Sequence, residues 1–366
     1  MVYIVFSMLV ALFFAMNMGA SGAAASMGVA YGSGAVSNKR LALVICAIGV
    51  FSGAAIGGGE VVKTIGSGII PSSIISAQIA LIILLAATLT LFIANLMGIP
   101  LSTSEVTVGA IVGVGIAFQS VHIHKLFIVV SFWLIIPFIA FGLTFMAGFL
   151  LSKWKKANEY RHARWGKGLK ILLIFTGFME AFSAGMNNVS NAVGPLVGAG
   201  LISISSGTLL GGIFIALGAL FLGGRVIETN GKRITNLSLI QGSTVSGLGA
   251  LLVIICSLLG MPVPITQITT AGIFGIGVAE HGMKLWQKDI IKRMLKVWLV
   301  SPIFSLVISY GTIKLFFEWD FYTVVAILCV FLATIGTMSL LKSSKNEEKE
   351  TTKNTTKNTI NSYSIK

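Results

Sequence analysis

Between Met1 and Ser152 the chain carries only six charged side chains, Lys39, Arg40, Glu60, Lys63, Glu105 and Lys125. A soluble surface carries charge on roughly a quarter to a third of its positions, so this stretch cannot be solvated as an ordinary domain. Its apolar runs have the ~20-residue length that crosses a bilayer. The whole sequence, 55% apolar and 10% charged over 366 residues, points the same way, to an all-α membrane protein. Apolar runs at 2–35 (interrupted), 41–58, 74–97, 104–120, 126–151, 170–198 (interrupted), 207–224, 237–259, 265–280, 294–316 and 320–341 predict about 11 transmembrane helices.

The net charge of +14 would suggest nucleic acid in a soluble protein, but here it falls in loops and in the tail, so no nucleic-acid face is predicted. Lys39/Arg40, the segment Lys153 to Lys170, Arg225/Lys232/Arg233, the run Lys284 to Lys296 and the tail all fall on one side. That side is the cytoplasm by the positive-inside rule, giving a plasma-membrane protein with its N-terminus outside and its C-terminus inside. The N-terminal apolar stretch has no Lys or Arg before it and is read as the first span rather than a signal peptide. Cys46, Cys256 and Cys329 lie in apolar runs and are read as small core residues. His122, His124, His162 and His281 map to loops without an acid at useful spacing, so no metal site, cofactor or catalytic set is expected, and no nucleotide-binding P-loop is present.

The halves of the chain resemble each other. Gly19–Gly28 matches Gly185–Gly194, Gly58–Ile69 matches Gly223–Ile234, Gly98–Gly115 matches Gly260–Gly277, and Trp133…Pro137 matches Trp298…Pro302, at offsets of 166, 165, 162 and 165 residues in one order. Five spans per copy is an odd number, so the second copy lies inverted in the membrane, as in secondary transporters that bind substrate at the repeat interface. The expected organisation is a first repeat over 1–152, a basic cytoplasmic linker over 153–169, a second repeat over 170–318, a final span over 319–341 and a disordered cytoplasmic tail over 342–366.

Each copy has two places where small and polar residues interrupt a span: Asn17–Ser26 and Pro100–Glu105 in the first, Ser183–Asn191 and Pro262–Gln267 in the second. Backbone freed at membrane depth must be satisfied by protein, ligand or water, and a helix restarting there offers N–H groups and a positive dipole end to an anion. Ser21, Gly22, Ser26, Ser102, Thr103 and Ser104 on one side, with Asn187, Asn188, Asn191, Thr266 and Gln267 on the other, would complete a neutral-donor pocket for an anion. Glu105 is a carboxylate at the start of an apolar span, where an ionised group costs at least a few kcal/mol; it reads as a proton carrier or as a solvated helix cap. Glu180 reads as a second titrating group or a structural acid. Glu60/Lys63 and Arg225/Glu228 have i,i+3 spacing and read as local helix-end pairs.

These motifs resemble the PiT inorganic phosphate transporter family, whose signature is a GANDVANA-type motif in each half followed by a P-x-S-T-T-H-type motif. AFSAGMNNVSNAVGPL (Ala181–Leu196) is close to the second copy, Asn17–Ser37 is a degraded first copy, and PLSTSE and PVPITQ match the later motifs. The resemblance covers about residues 12–315 and implies that these motifs form the anion site. Where the family has Asn-Asp, this chain has Ser21-Gly22 and Asn187-Asn188; where the family ends each later motif in His, it has Glu105 and Gln267. Loss of both aspartates removes carboxylates on which a sodium site draws. It also favours sulfate, which has no proton to give a carboxylate, over phosphate, which has at least one. The pattern is similar to the sulfate permease branch of the family.

The resemblance therefore implies a secondary active sulfate permease working by alternating access, with thiosulfate and phosphate as alternative cargoes, an inorganic phosphate symporter as the runner-up and an anion channel as a distant alternative. Importing two negative charges against 100 mV costs about 4.6 kcal/mol, an exclusion of roughly three orders of magnitude. Uptake therefore needs a coupling ion, and the proton is the economical one. The lipid bilayer is the remaining partner, and a homo-oligomer is compatible with the sequence.

Overall fold

The computed structural model describes residues 1–96, 101–157, 166–228, 237–282 and 288–329 apart from 324 and 328. Ten principal helices follow one another: α1 Val2–Met18, α2 Lys39–Gly57, α3 Ala77–Leu96, α4 Thr103–Ala117, α5 Ile123–Ala157, α6 Gly166–Gly198, α7 Ile204–Leu222, α8 Leu239–Leu258, α9 Ile265–His281 and α10 Lys288–Phe316. They occupy ten of the predicted spans; the eleventh, 320–341, lies mostly outside the described residues, and the tail wholly so. Among the described residues seven helices are long and apolar enough to cross a bilayer, and the chain is a multi-pass, all-α membrane protein. Short polar residues start several of them: Asn38 accepts from Arg40 N at 2.9 Å to cap α2, Ser203 accepts from Ser206 N at 3.1 Å to cap α7, and Ser238 with Gln241 forms a capping box on α8.

Met1–Tyr310 forms one compact unit and contains the first copy of the repeat and all but the end of the second. Within it α1 to α5 correspond in order to α6 to α10, and the contacts are themselves duplicated. A β-carbon on Gly185 would run into the Val50 carbonyl, and one on Gly19 into the carbonyl of Ile215, the residue that matches Val50 in the other copy. Gly53 meets Phe182 and Gly218 meets Met16 in the same reciprocal way. Helices α1 with α7 and α2 with α6 thus cross so closely that only hydrogen fits between backbones. The later helices exchange partners between copies: Gly113 of α4 abuts Leu306 and Ser309 of α10, while Gly275 of α9 abuts Phe141 and Thr144 of α5.

Three of the four predicted interruptions are realised. After α1 the chain passes through a π turn, Gly19–Ala23, and short turns Ala24–Ser26 and Gly28–Gly32. Helix α4 starts after Ser102, and α9 starts after the extended Pro264. The fourth expectation is corrected, because α6 is a single helix through Ser183–Asn191 up to Gly198. Its three asparagines spend their side chains on other helices, which leaves the helical ladder intact. The matching first-copy residues Gly19–Ala23 include two glycines, which favour a helix less by about 1 kcal/mol each. Proline is accommodated inside α5, α6 and α10 at Pro137, Pro195 and Pro302.

Glu60 and Lys63 pair at 2.6 Å as their spacing implies, and Glu228 pairs with Lys39 of the other copy at 2.7 Å. Both pairs are half-exposed or exposed, worth at most about 1 kcal/mol. In the second unit, Gly311–Lys366, Lys314 pairs with Glu318, and Asp320 accepts from Thr323 N at 3.0 Å. Cys46 and Cys256 are buried as expected, but Cys329 is exposed, as are the apolar Phe321 and Val325, which suits contact with lipid.

Candidate functional site

Asn187, Asn188 and Asn191 fall at i, i+1 and i+4 on α6, so their side chains leave one sector of the helix and face the start of α4. There Ser102 takes up the cap position, which sends Thr103 and Ser104 toward α6. Thr103 Oγ1 donates to Asn188 Oδ1 at 3.1 Å and Ser104 Oγ donates to Asn187 Oδ1 at 3.1 Å. Asn191 Nδ2 donates to both hydroxyls, at 3.3 Å to Thr103 and 3.2 Å to Ser104. Asn187 also ties down the chain before α9: its Nδ2 donates to Met261 O at 3.2 Å and Ser257 Oγ at 3.3 Å, and its Oδ1 accepts from Val263 N at 3.3 Å. One buried amide therefore fixes the starts of two helices from different copies.

The network leaves specific atoms unused. Asn191 Oδ1 and Gln267 Oε1 are buried without a partner. Asn188 Nδ2 makes no hydrogen bond among the described residues, and a β-carbon on Gly22 would lie 3.6 Å from it. That amide faces the first break, where Gly22 contributes only backbone. Ser21 is half-buried and spends its hydroxyl on Asn17 O of its own turn at 2.9 Å. Ser26 is buried with its hydroxyl 3.9 Å from Cys46 Sγ. Thr266 is exposed, and its backbone carbonyl takes Thr270 Oγ1 at 2.5 Å. The structure thus gathers Ser102, Thr103, Ser104, Asn187, Asn188 and Asn191, sets Gly22 opposite them, and does not bring Ser21, Ser26 or Thr266 into that hydrogen-bonded set.

Glu105 is 2% exposed, which removes its reading as a solvated cap. Its carboxylate accepts from Ser301 Oγ at 2.6 Å and from Gln267 Nε2. Glu105 and Gln267 end the two copies of one motif, and a contact between repeat-equivalent residues lies on the internal two-fold axis. Glu180 is 7% exposed and accepts from Thr269 Oγ1 of α9 at 3.1 Å, with Ser246 of α8 also bonded to it. Among the described residues no group of three or more His, Cys, Asp or Glu side chains is arranged to hold a metal ion. Sequence reasoning missed Ser301, Ser257, Ser246 and Thr269. A usable signal existed for two of these positions: Ser301 stands where the first copy has Ile136 and Ser246 where it has Leu84.

Two inverted copies closed around a buried core of amides and hydroxyls make a membrane permease of the inverted-repeat class. The model of the phosphate transporter family matches residues 18–309, and the chain belongs to that family. It is 55% identical over 343 residues to the sulfate permease CysP of Bacillus subtilis, covering 94% of this chain and 96% of that one. It is 28% identical over 379 residues to a putative phosphate permease of Thermococcus kodakarensis, covering 80% and 92%. Its fold matches that of a solved sodium-dependent phosphate transporter with a TM-score of 0.75 at 24% identity, covering 86% of this chain and all of that one.

Proposed function

We propose that this protein is a secondary active sulfate permease that imports sulfate by alternating access of its two copies, coupled to protons rather than sodium. The observation that carries the reading is the Asn188 amide. Its oxygen is committed to Thr103, so what it turns toward Gly22 is a bare NH2 group. Sulfate at neutral pH is an acceptor only, and a free amide donor facing bare backbone suits it, whereas carboxylate oxygens there would meet it lone pair to lone pair. The similarity to a relative named a sulfate permease supports the same cargo.

Proton coupling is assigned to Glu105. Ionised, it accepts from Gln267 Nε2 and Ser301 Oγ. Once protonated, it gains a hydrogen that the unpartnered Gln267 Oε1 can accept after the amide turns over. The two charge states would then hold the axis contact by opposite ends of one side chain. Such a contact can bias two arrangements of the copies, as alternating access requires. The orientation with the N-terminus outside, residence in the plasma membrane and the division into two repeats, basic linker, final span and tail belong to the same proposal.

Uptake of labelled sulfate into proteoliposomes, with proton and sodium gradients imposed independently, tests it. Accumulation driven by the proton gradient alone is expected; accumulation that requires sodium overturns the coupling. The second reading, phosphate as cargo, is favoured by Asn191 Oδ1, a buried acceptor that only a protonated anion could serve. Uptake blocked by phosphate and indifferent to thiosulfate and selenate would decide for phosphate.

A further inference from the structure

Helix α9 reaches both buried acids. Gln267 of its first turn holds Glu105, and Thr269 two residues on holds Glu180. Glu180 is enclosed by Thr269 of α9, Ser246 of α8 and, toward the first break, Cys46 of α2 with Ser26 against it. Glu105 is enclosed by Gln267 of α9 and Ser301 of α10. None of these groups is cationic, and none of the ion pairs Lys39–Glu228, Lys63–Glu60 and Lys314–Glu318 includes either acid. Among the residues whose side chains the structure describes, Glu105 and Glu180 are the only carboxylates that are buried. A buried carboxylate without a cation persists either through dipolar donors or by carrying a proton. At Glu180 the first copy has the fully buried Phe14, so the fold does not require an acid in this place for packing.

We propose that Glu180 is a second proton-binding group, so that two protons enter with each divalent anion and the cycle moves no net charge. The inference rests on the proton-coupled sulfate reading and adds the stoichiometry to it. With one proton the loaded carrier would still move a net negative charge, and each such charge lowers accumulation about fifty-fold per 100 mV of inside-negative potential. With two, the membrane potential drops out and only the pH gradient drives uptake. Both acids act on the one helix α9, which lies against α5 of the other copy, so each proton bears on the same inter-copy contact.

The test is steady-state accumulation of labelled sulfate in proteoliposomes at a fixed pH gradient, with the potential clamped at zero or at 100 mV inside-negative. The wild-type protein is expected to accumulate sulfate equally, within about twofold, at both potentials; a fifty-fold loss in the wild type overturns the two-proton inference while leaving proton coupling intact. No response of the wild type to the pH gradient at either potential means that the proposed function itself has failed. Glu180→Gln is expected to acquire the fifty-fold voltage penalty, and a folded Glu180→Gln that remains indifferent to voltage overturns the assignment. Thr269→Val leaves the acid in place and removes a donor from its ionised form. It is expected to move the pH profile of uptake toward alkaline pH, and an unmoved profile counts against Glu180 as a carrier even if the first variant does not fold.

Discussion

Replacing Asn188 by Asp changes the site by one atom. The retained oxygen still accepts from Thr103 Oγ1, now 3.1 Å away, so the link between α6 and α4 survives. What changes is the free NH2 group facing Gly22, which becomes a second oxygen sharing a negative charge. Held within hydrogen-bonding reach of an anion, that charge sits about 4 Å from it. At an effective dielectric constant of about 20 this costs about 4 kcal/mol per unit charge of the cargo, or about 8 kcal/mol for sulfate. Even half of the larger figure is a loss of about a thousand-fold in affinity. Singly protonated phosphate loses less, because its P–OH can donate to the new carboxylate in a charge-assisted bond worth about 1.5–3 kcal/mol. The assay is labelled sulfate uptake at matched protein levels, with phosphate as competitor. Sulfate uptake should fall by at least two orders of magnitude while phosphate gains at its expense. Uptake within threefold of wild type, still insensitive to phosphate, would refute the placement of the anion beside Asn188.

Three other substitutions probe the same structure. Glu105→Gln should leave sulfate uptake coupled to one proton instead of two, so that accumulation at a fixed pH gradient falls about fifty-fold per 100 mV of inside-negative potential; accumulation that stays indifferent to voltage removes Glu105 as a carrier. Asn187→Ala strips the Met261 carbonyl and the Val263 N–H of their side-chain partner, a loss of about 2–6 kcal/mol at 1–3 kcal/mol for each bared group; the melting temperature of the purified protein should fall clearly, and an unchanged melt would mean that water replaces the amide. Gly53→Ala and Gly218→Ala place methyl groups against Phe182 and Met16 at repeat-related crossings, so each should cost about 1–3 kcal/mol or more. Their melting shifts should be similar, and a strongly unequal pair would argue against equivalent packing of the two copies.

What could be read in advance was whatever the duplication had written twice. Gly19 with Gly185, PLSTSE with PVPITQ, and Trp133…Pro137 with Trp298…Pro302 gave the helix correspondence and the motif residues, because a position repeated at a constant offset has to meet the same packing need in both copies. Side-chain connections were not legible in that way. Ser301 next to Pro302 looks like any small residue in a membrane helix until α10 is seen to lie against α4, a pairing that depends on the exchange of partners between copies. The unbroken course of α6 is not legible for a related reason. Composition treats Asn187, Asn188 and Asn191 as helix-weakening, but their amides bond to α4 and to the segment before α9 and leave their own backbone undisturbed. Thr266, in a motif with the right spacing, turns outward because the first turn of α9 directs Gln267 toward Glu105.

The exchange of helices between copies bears on how such a chain came to exist and how it is made. In α4 with α10, and in α5 with α9, each copy supplies a surface that only the other copy can cover. An ancestor of half this length, inserted into the membrane in both orientations, would have made the same contacts as a symmetric dimer, and fusion of two genes would then have locked the orientations in place. During synthesis α4 must wait in the bilayer, its Gly109–Gly113 face uncovered, until some 190 further residues have emerged and α10 arrives. Neither half is then a finished folding unit, and two separately expressed halves should recover activity only when both are present in one membrane.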